Sequence, residues 1–420
     1  MAPQLIRFTN GQLAQGNTLT KSDLYIDTST GKITNGQDLF FSQQTSPIKT
    51  IDLHGQILAP GFIDVQINGC YGLDFSLPST NYASELARVK QELVKTGVTS
   101  FLPTLTSQAP AVYAQTLPFL GADQDRNSGD GAESLGAHCE GPFINPLKCG
   151  IHKPDVLQTP TDLSALETCY GKQFLTAPII KMITIAPELT SSPSLIPDLH
   201  SRGIVISLGH SAATHDQAST ALSQGATMLT HLYNAMPQPH HRDTGIVGLL
   251  GSSTSTQRPY YGLIADGYHV SPSMARLAYK AHSEGCCLVT DAMSVLGLPD
   301  GRYPWTNGEY FLKTGNHITL ERTGGIAGSA VTLVDCVNNL LNWTENQATG
   351  IAEVLQTVTG TPAKMLGLDG VKGSLNVGAD ADLVVLSKNA EGLLVVEQVW
   401  KFGRMVFTAE AKKEMAKARL

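Results

Sequence analysis

The amino-acid sequence predicts an α/β protein, a (β/α)8 TIM-like barrel carrying a small β-sandwich domain assembled from both chain termini. Three observations support this. Residues 60–371 alternate eight apolar, strand-like runs with helix-compatible stretches, the count of a closed parallel barrel. The two ends of the chain hold short strands and tight turns, too few on either side for a core of their own. Almost every strand of the middle region also ends in a side chain able to do chemistry, and in parallel barrels the carboxyl ends of the strands form the working face.

In chain order, residues 1–59 supply short strands at Leu5–Phe8, Asp23–Asp27 and Lys32–Thr34, separated by Asn-Gly and Ser-Thr-Gly turns. Barrel strands are expected at Phe62–Ile67, Val98–Leu102, Leu135–His138, Ile180–Ile185, Ile204–Leu208, Ala226–Thr230, Tyr260–Ile264 and Cys287–Thr290. Helices are expected between them at Tyr82–Thr96, Pro193–Ser201, Ala212–Gln224 and Ser271–Ser283. The small domain resumes over 372–407 with Lys372–Leu375, Asp382–Leu386, Glu397–Trp400 and Met405–Phe407, and residues 408–420 are expected to form a charged helix or tail. A doubly wound open sheet is the alternative architecture. It loses weight because no Gly-x-Gly-x-x-Gly opens a helix and no Walker A lysine motif occurs.

Apolar residues make up 42% of the 420 and charged residues 15%, a well-buried globular composition that argues against disorder. The net charge of −7 leaves no basic footprint for nucleic acid, so an anionic substrate needs a local cationic pocket. The seven cysteines are odd in number and lack Cys-x-x-Cys spacing, which suits a reducing compartment without a disulfide framework. The N-terminus lacks a basic region followed by an apolar core, and no run approaches ~18 uninterrupted apolar residues. No signal peptide, no membrane span and a cytoplasmic location are the expectations.

The strand tips carry the chemistry. The first strand ends Gln66-Ile-Asn68, the third His138-Cys-Glu140, the fourth Ala186-Pro-Glu188 and the fifth Gly209-His210. The sixth ends Thr230-His231 with Asn234 beyond it, the seventh Asp266-Gly-Tyr-His269, and the eighth Asp291. One strand-end histidine is more often a hydrogen-bonded structural residue than a ligand, and one aspartate is as often a helix cap. Convergence on one rim shifts those odds. Glu140, His210 and His231 make a mixed oxygen and nitrogen set suited to one divalent cation, Zn2+ first among them, with water in the fourth position. Asp291, across the barrel mouth, is placed to accept that water's proton.

These residues also carry a family resemblance. Pro60-Gly-Phe-Ile-Asp64, followed by a two-residue alternation, resembles the first-strand motif of the amidohydrolase superfamily. More narrowly, His138-Cys-Glu-Gly-Pro-Phe-Ile-Asn145, Lys148-x-Gly-x-His152 and Leu208-Gly-His-Ser-Ala212 resemble the N-acetylglucosamine-6-phosphate deacetylase family. So do Thr230-His-Leu-Tyr-Asn-Ala-Met236, Ala265-Asp-Gly-x-His269, Val289-Thr-Asp-Ala292 and Gly325-Ile-Ala-Gly-Ser329, and the ordered match runs from residue 60 to Val385. Most amidohydrolases carry His-x-His on the first strand to help hold a second metal. Gln66 and Asn68 stand there instead, a variant also found among the deacetylases. Amides are poor zinc ligands, so one metal is expected, with the amides bonded to water or to neighbouring strand-end groups.

The resemblance implies hydrolysis of the acetamide of N-acetyl-D-glucosamine 6-phosphate, in amino-sugar recycling. It implies Asp291 as base and then acid, and His152 as donor to the carbonyl oxygen. It places Asn234, the Ala235 main chain and Arg242 on the phosphate, His269 against the substrate, and Ile151, Ile326, Ala327 and Gly328 beside the sugar. A homodimer is the family habit, with Arg242 serving its own or the adjacent subunit's substrate. Two other readings stand beside this one. A cyclic-amide hydrolase usually wants two metals and a carboxylated lysine at the fourth strand's tip, where this sequence has none. A non-catalytic scaffold barrel would lose its ligands piecemeal.

Overall fold

The computed structural model describes residues 5–36, 48–190, 193–252, 258–344 and 350–410. At its centre is a parallel barrel of β1 (Phe62–Ile67), β2 (Val98–Leu105), β3 (Ala137–Glu140), β4 (Ile180–Ile185), β5 (Val205–Leu208), β6 (Met228–Leu229), β7 (Tyr260–Leu263) and β8 (Cys286–Leu288). Each strand pairs in parallel with the next. Every residue of β1 and β2 is buried, as expected of barrel strands covered on both faces.

The seam between β8 and β1 closes just beyond the strands. Asp291 N–H donates to the Gln66 carbonyl at 2.9 Å, and Asn68 N–H to the Ala292 carbonyl at 2.8 Å. Asp64, fully buried in β1, staples the same seam by accepting the Thr290 hydroxyl at 2.6 Å and the Gln66 amide at 3.2 Å.

Local chemistry explains the helices. Tyr82–Leu93 buries Tyr82, Leu86, Val89 and Leu93, one stripe at helical spacing. His215–Ser223 opens on a capping box between Thr214 and Gln217. Pro272–Ala281 has Ser271 as its cap, accepting from the Met274 amide, with a proline in its first turn.

Strands from both termini form two further sheets. One runs in the order Lys32–Thr34, Leu24–Asp27, Leu5–Thr9, Ile48–Asp52. The other runs Arg404–Thr408, Leu394–Lys401, Leu383–Lys388, Ile57–Pro60, Gln12–Gln15, Thr18–Thr20. Ile6, Phe8, Leu24 and Ile26 share a buried cluster with Leu58, Leu383, Val385 and Trp400. This is the sandwich expected of the two chain ends.

Some boundaries differ from the sequence reading. The third strand begins at Ala137 rather than Leu135 because Gly136, at φ 110°, breaks the apolar run, and Glu133–Ser134 pairs separately with β2. The strand thereby extends to Glu140. The sixth strand shortens to two residues, although the Thr230 amide still donates to the Leu208 carbonyl of β5 at 2.9 Å. Thr408 ends a strand, and most of the helix or tail expected over 408–420 falls on residues 411–420, outside the described residues.

A four-stranded antiparallel sheet after β8 was not anticipated: Gly301–Pro304, Tyr310–Thr314, His317–Leu320 and Ile326–Ser329. All seven cysteines are free. Among the described residues no helix is long and apolar enough to cross a membrane.

Candidate active site

Glu140 is the last residue of β3, while His210 and His231 each lie two residues past β5 and β6. His210, His231 and Asp291 take left-handed backbone, with φ of 47°, 24° and 47°. Such backbone costs of the order of 1–3 kcal/mol at a non-glycine residue and persists where packing enforces it. Gly209 provides the room, since a Cβ there would lie 2.5 Å from the Thr230 Cβ. The turns redirect these side chains into the barrel mouth.

Glu140 Oε1 lies 3.2 Å from His210 Nε2 and 2.9 Å from His231 Nε2, and the two nitrogens are 3.0 Å apart. A tetrahedral ion with ~2.0 Å bonds needs ligand atoms about 3.3 Å apart, so the three atoms fit one face of such a site. His210 Nδ1 sits 2.7 Å from the Lys148 carbonyl, which can only accept. The ring therefore carries its proton on Nδ1 and turns the Nε2 lone pair to the cluster. Burial opposes ionisation of Glu140, but the His210 and His231 imidazoles beside it outweigh burial and hold the carboxyl well below its usual range.

His152 is also near, with Nε2 4.0 Å from Glu140 Oε2, and ligand atoms of Glu140, His152 and His210 lie within 4.8 Å of one another. Its tautomer suits a different task. The Ser107 N–H points at His152 Nδ1 from 3.0 Å; an amide N–H only donates, so Nδ1 accepts and Nε2 carries the proton. Burial lowers this imidazole to about 3 and keeps it neutral. The result is a neutral N–H donor at the site, and His231 is the closer third partner for a cation.

Asp291 faces this cluster. Its Oδ1 accepts from Asn68 Nδ2 at 2.7 Å and Gln66 Nε2 at 3.4 Å, while Gln66 Nε2 also reaches Glu140 Oε1 at 3.0 Å. Gln66 of β1 and Asn68, one residue past its end, thus face Glu140 of β3 and Asp291 beyond β8. Desolvation, and then the Glu140 carboxylate, push Asp291 up to about 6.

Asn68, Glu140, His152, His210, His231 and Asp291 open on a pocket of about 200 Å³. Ile151, Asn234, Ala235, His269, Ile326 and Gly328 also line it. His269 Nδ1 is held 2.7 Å from Asp266 Oδ2, leaving Nε2 as the ring's free nitrogen. Two expected substrate residues stand apart. Ala327 is fully buried and packs with Met293 and Phe311, because successive residues of strand Ile326–Ser329 face opposite ways. Arg242 sits on an exposed loop and does not line the pocket.

Thr106 and Met293 line the pocket without having been singled out by the sequence, and Gly150 of the Lys148-x-Gly-x-His152 motif lines it too. Glu188 anchors the loop after His210, accepting the Ser211 hydroxyl at 2.6 Å and the Ala212 amide at 2.5 Å. His138 lies inside the barrel, its Nε2 2.8 Å from the Thr184 hydroxyl. A cavity of about 850 Å³ shares Gly150, Ile151 and His152 with the pocket and is walled by Trp305, Tyr310 and Leu320 of the inserted sheet and its turns.

Asp64 gives a pH-dependent test of the seam beside this site. Desolvation raises its carboxyl from 3.8 to about 7. With the folded value above the unfolded one, the folded chain holds the extra proton between them, and stability falls as pH rises through 7. Asp64→Asn removes this dependence. Its stability relative to the wild type should rise by about 3 kcal/mol between pH 5 and pH 8, read from urea unfolding of both proteins. A constant difference across that range would contradict the assignment.

A carboxylate and two imidazoles at the carboxyl-terminal mouth of a parallel barrel, faced by an aspartate, define a metal-dependent hydrolase of the amidohydrolase kind. The amidohydrolase family pattern matches residues 57–406. The N-acetylglucosamine-6-phosphate deacetylase of Danio rerio is 40% identical over 410 residues, 96% of this chain and 97% of its own. The chain belongs to the amidohydrolase family and, within it, to the N-acetylglucosamine-6-phosphate deacetylases. The crystal structure of that deacetylase from Pasteurella multocida matches with a TM-score of 0.80 and 28% identity, over 96% of this chain and 99% of that one. A Mycobacterium smegmatis deacetylase mutant in complex with N-acetyl-D-glucosamine-6-phosphate matches at 0.78 and 26%, over 97% and 100%.

Proposed function

We propose that the protein hydrolyses the acetamide of N-acetyl-D-glucosamine 6-phosphate to D-glucosamine 6-phosphate and acetate, in amino-sugar catabolism. One observation carries this reading. Glu140, His210 and His231 meet within 3.2 Å of one another, and Asp291 and His152 line the same pocket. Similarity to named deacetylases over nearly the whole chain supports the substrate.

Glu140, His210 and His231 would hold one divalent ion, Zn2+ in this reading, which supplies Lewis acidity and a more acidic water. Asp291 accepts the proton of the attacking water and returns it to the nitrogen as the C–N bond breaks. Burial, with Glu140 beside it, raises this carboxyl above its ordinary value, which favours its taking a proton. Asn68 fixes the carboxylate by bonding Oδ1. His152 donates its Nε2 proton to the carbonyl oxygen as negative charge develops there. Asn234, the Ala235 main chain and His269 hold the phosphosugar, with Ile151, Ile326 and Gly328 as walls. Gln66 and Asn68 occupy the second-metal position and favour a single ion. The catalytic unit spans 60–371, and the β domain comprises 1–59 with 372–407.

Arg242 completes the reading in a homodimer, where this exposed side chain reaches phosphate in the adjacent subunit's pocket. An arginine offers planar, bidentate geometry to phosphate oxygens. Arg242→Ala should lower kcat/KM for the phosphorylated substrate about 10- to 100-fold, a charge-assisted hydrogen bond being worth about 1.5–3 kcal/mol. Unphosphorylated N-acetylglucosamine should be barely affected; equal losses on both would remove Arg242 from the phosphate. The free thiols suit a reducing, cytoplasmic setting.

Metal analysis combined with acetate release from N-acetylglucosamine 6-phosphate tests the whole reading. A cyclic-amide hydrolase would instead show two metals, although Lys181 lies at the start of β4 and not at its tip. A scaffold would show neither metal nor turnover.

A further inference from the structure

We infer that Ser107 is a positioning residue for the reaction: its amide and hydroxyl hold His152 in the one tautomer that presents an Nε2 proton to the substrate. The inference rests on the deacetylase reading of His152.

Ser107 lies two residues past β2, the one barrel strand for which the sequence reading names no polar tip. It is 1% exposed, and His152 is 5% exposed. Two donors converge on a single ring nitrogen. The Ser107 amide lies 3.0 Å from His152 Nδ1, and the Ser107 hydroxyl 2.8 Å from the same atom. Because the amide cannot accept, a proton on Nδ1 would leave two N–H groups pointing at each other. The hydroxyl therefore donates to Nδ1 as well, and the ring proton is driven to Nε2, on the side of Glu140 Oε2 at 4.0 Å.

The surroundings are built for this approach. Gly141, directly after Glu140, has φ 83°, and a Cβ on it would lie 2.2 Å from the Ser107 hydroxyl oxygen. The preceding residue is pinned too, with the Thr106 amide and hydroxyl 2.9 and 3.1 Å from the Ser76 hydroxyl. The serine end of the contact is thus fixed before substrate arrives.

The test joins a spectrum to a double-mutant cycle. In the metal-loaded wild type, ¹⁵N spectra of labelled histidine should show His152 protonated on Nε2 and bare on Nδ1; the opposite tautomer overturns the inference without any variant. In turnover of N-acetylglucosamine 6-phosphate, Ser107→Ala should lower kcat about tenfold with KM within twofold. The same change in a His152→Ala background should have no effect, because the partner it acts through is gone. Equal losses in both backgrounds, or a wild-type rate for Ser107→Ala, would overturn the positioning role alone. A wild-type rate for His152→Ala would overturn both this inference and the catalytic reading beneath it.

Discussion

Asp291→Asn should lower kcat by about 10³- to 10⁴-fold and leave KM within a few-fold, measured as acetate release from N-acetylglucosamine 6-phosphate. General acid–base groups contribute about 10²- to 10⁴-fold, and this carboxylate is asked to serve twice, so the upper half of that range applies. The amide is nearly isosteric and can still accept the Asn68 hydrogen bond, so the loss should report proton transfer and not a collapsed mouth. Bound metal should stay at wild-type stoichiometry, because Asp291 stands outside the Glu140, His210 and His231 set. Turnover within a few-fold of wild type would move the proton-transfer role to another group.

Removing a ligand should act differently, and two histidines separate the possibilities. His231→Ala should lose both the metal and all activity above background. His152→Ala should keep the metal and lose about 10²- to 10³-fold in kcat, the typical worth of one donor to a developing oxyanion. Chelation of the wild type should lower its thermal midpoint, and adding Zn2+ back should restore it. At a free metal concentration 1,000 times its dissociation constant, binding contributes about 4 kcal/mol. Loss of metal in His152→Ala with retention in His231→Ala would make Glu140, His152 and His210 the ligand set instead. The tautomer of His152 argues against that, since its Nε2 lacks a lone pair to give.

Much of this was legible in the sequence because a barrel writes its site at regular intervals. Glu140, His210, His231 and Asp291 each follow an apolar run, and parallel strands bring such tips together whatever their separation along the chain. The alternation of Gln66 and Asn68 on one strand likewise required both amides to meet the same side of the mouth. What escaped depended on partners in space. Ser107 looks like an ordinary loop serine until the fold places His152 against it. Ala327 belongs to a matching motif, yet strand pleat turns it into the core between two pocket residues. Arg242 shows a suitable chemistry but sits on an exposed loop, and chemistry alone does not say which pocket it serves.

The inserted sheet did leave a trace. Gly315-Asn316 separates Tyr310–Thr314 from His317–Leu320, a two-residue hairpin signal. Its strands are partly exposed and polar, so the apolar runs used to find the barrel strands passed over them. The third strand was misplaced for a similar reason: Leu135 and Ala137 look continuous in composition, but Gly136 takes a backbone conformation that ends one pairing and starts another.

Anomalous scattering from a Zn2+-loaded crystal, collected on both sides of the zinc edge, tests the metal centre most directly. Expected is a single peak about 2.0–2.2 Å from Glu140 Oε1, His210 Nε2 and His231 Nε2, with Asp291 facing it. A peak bonded to His152 in place of His231, a second peak beside Gln66 and Asn68, or no peak at the barrel mouth would contradict the single-ion site.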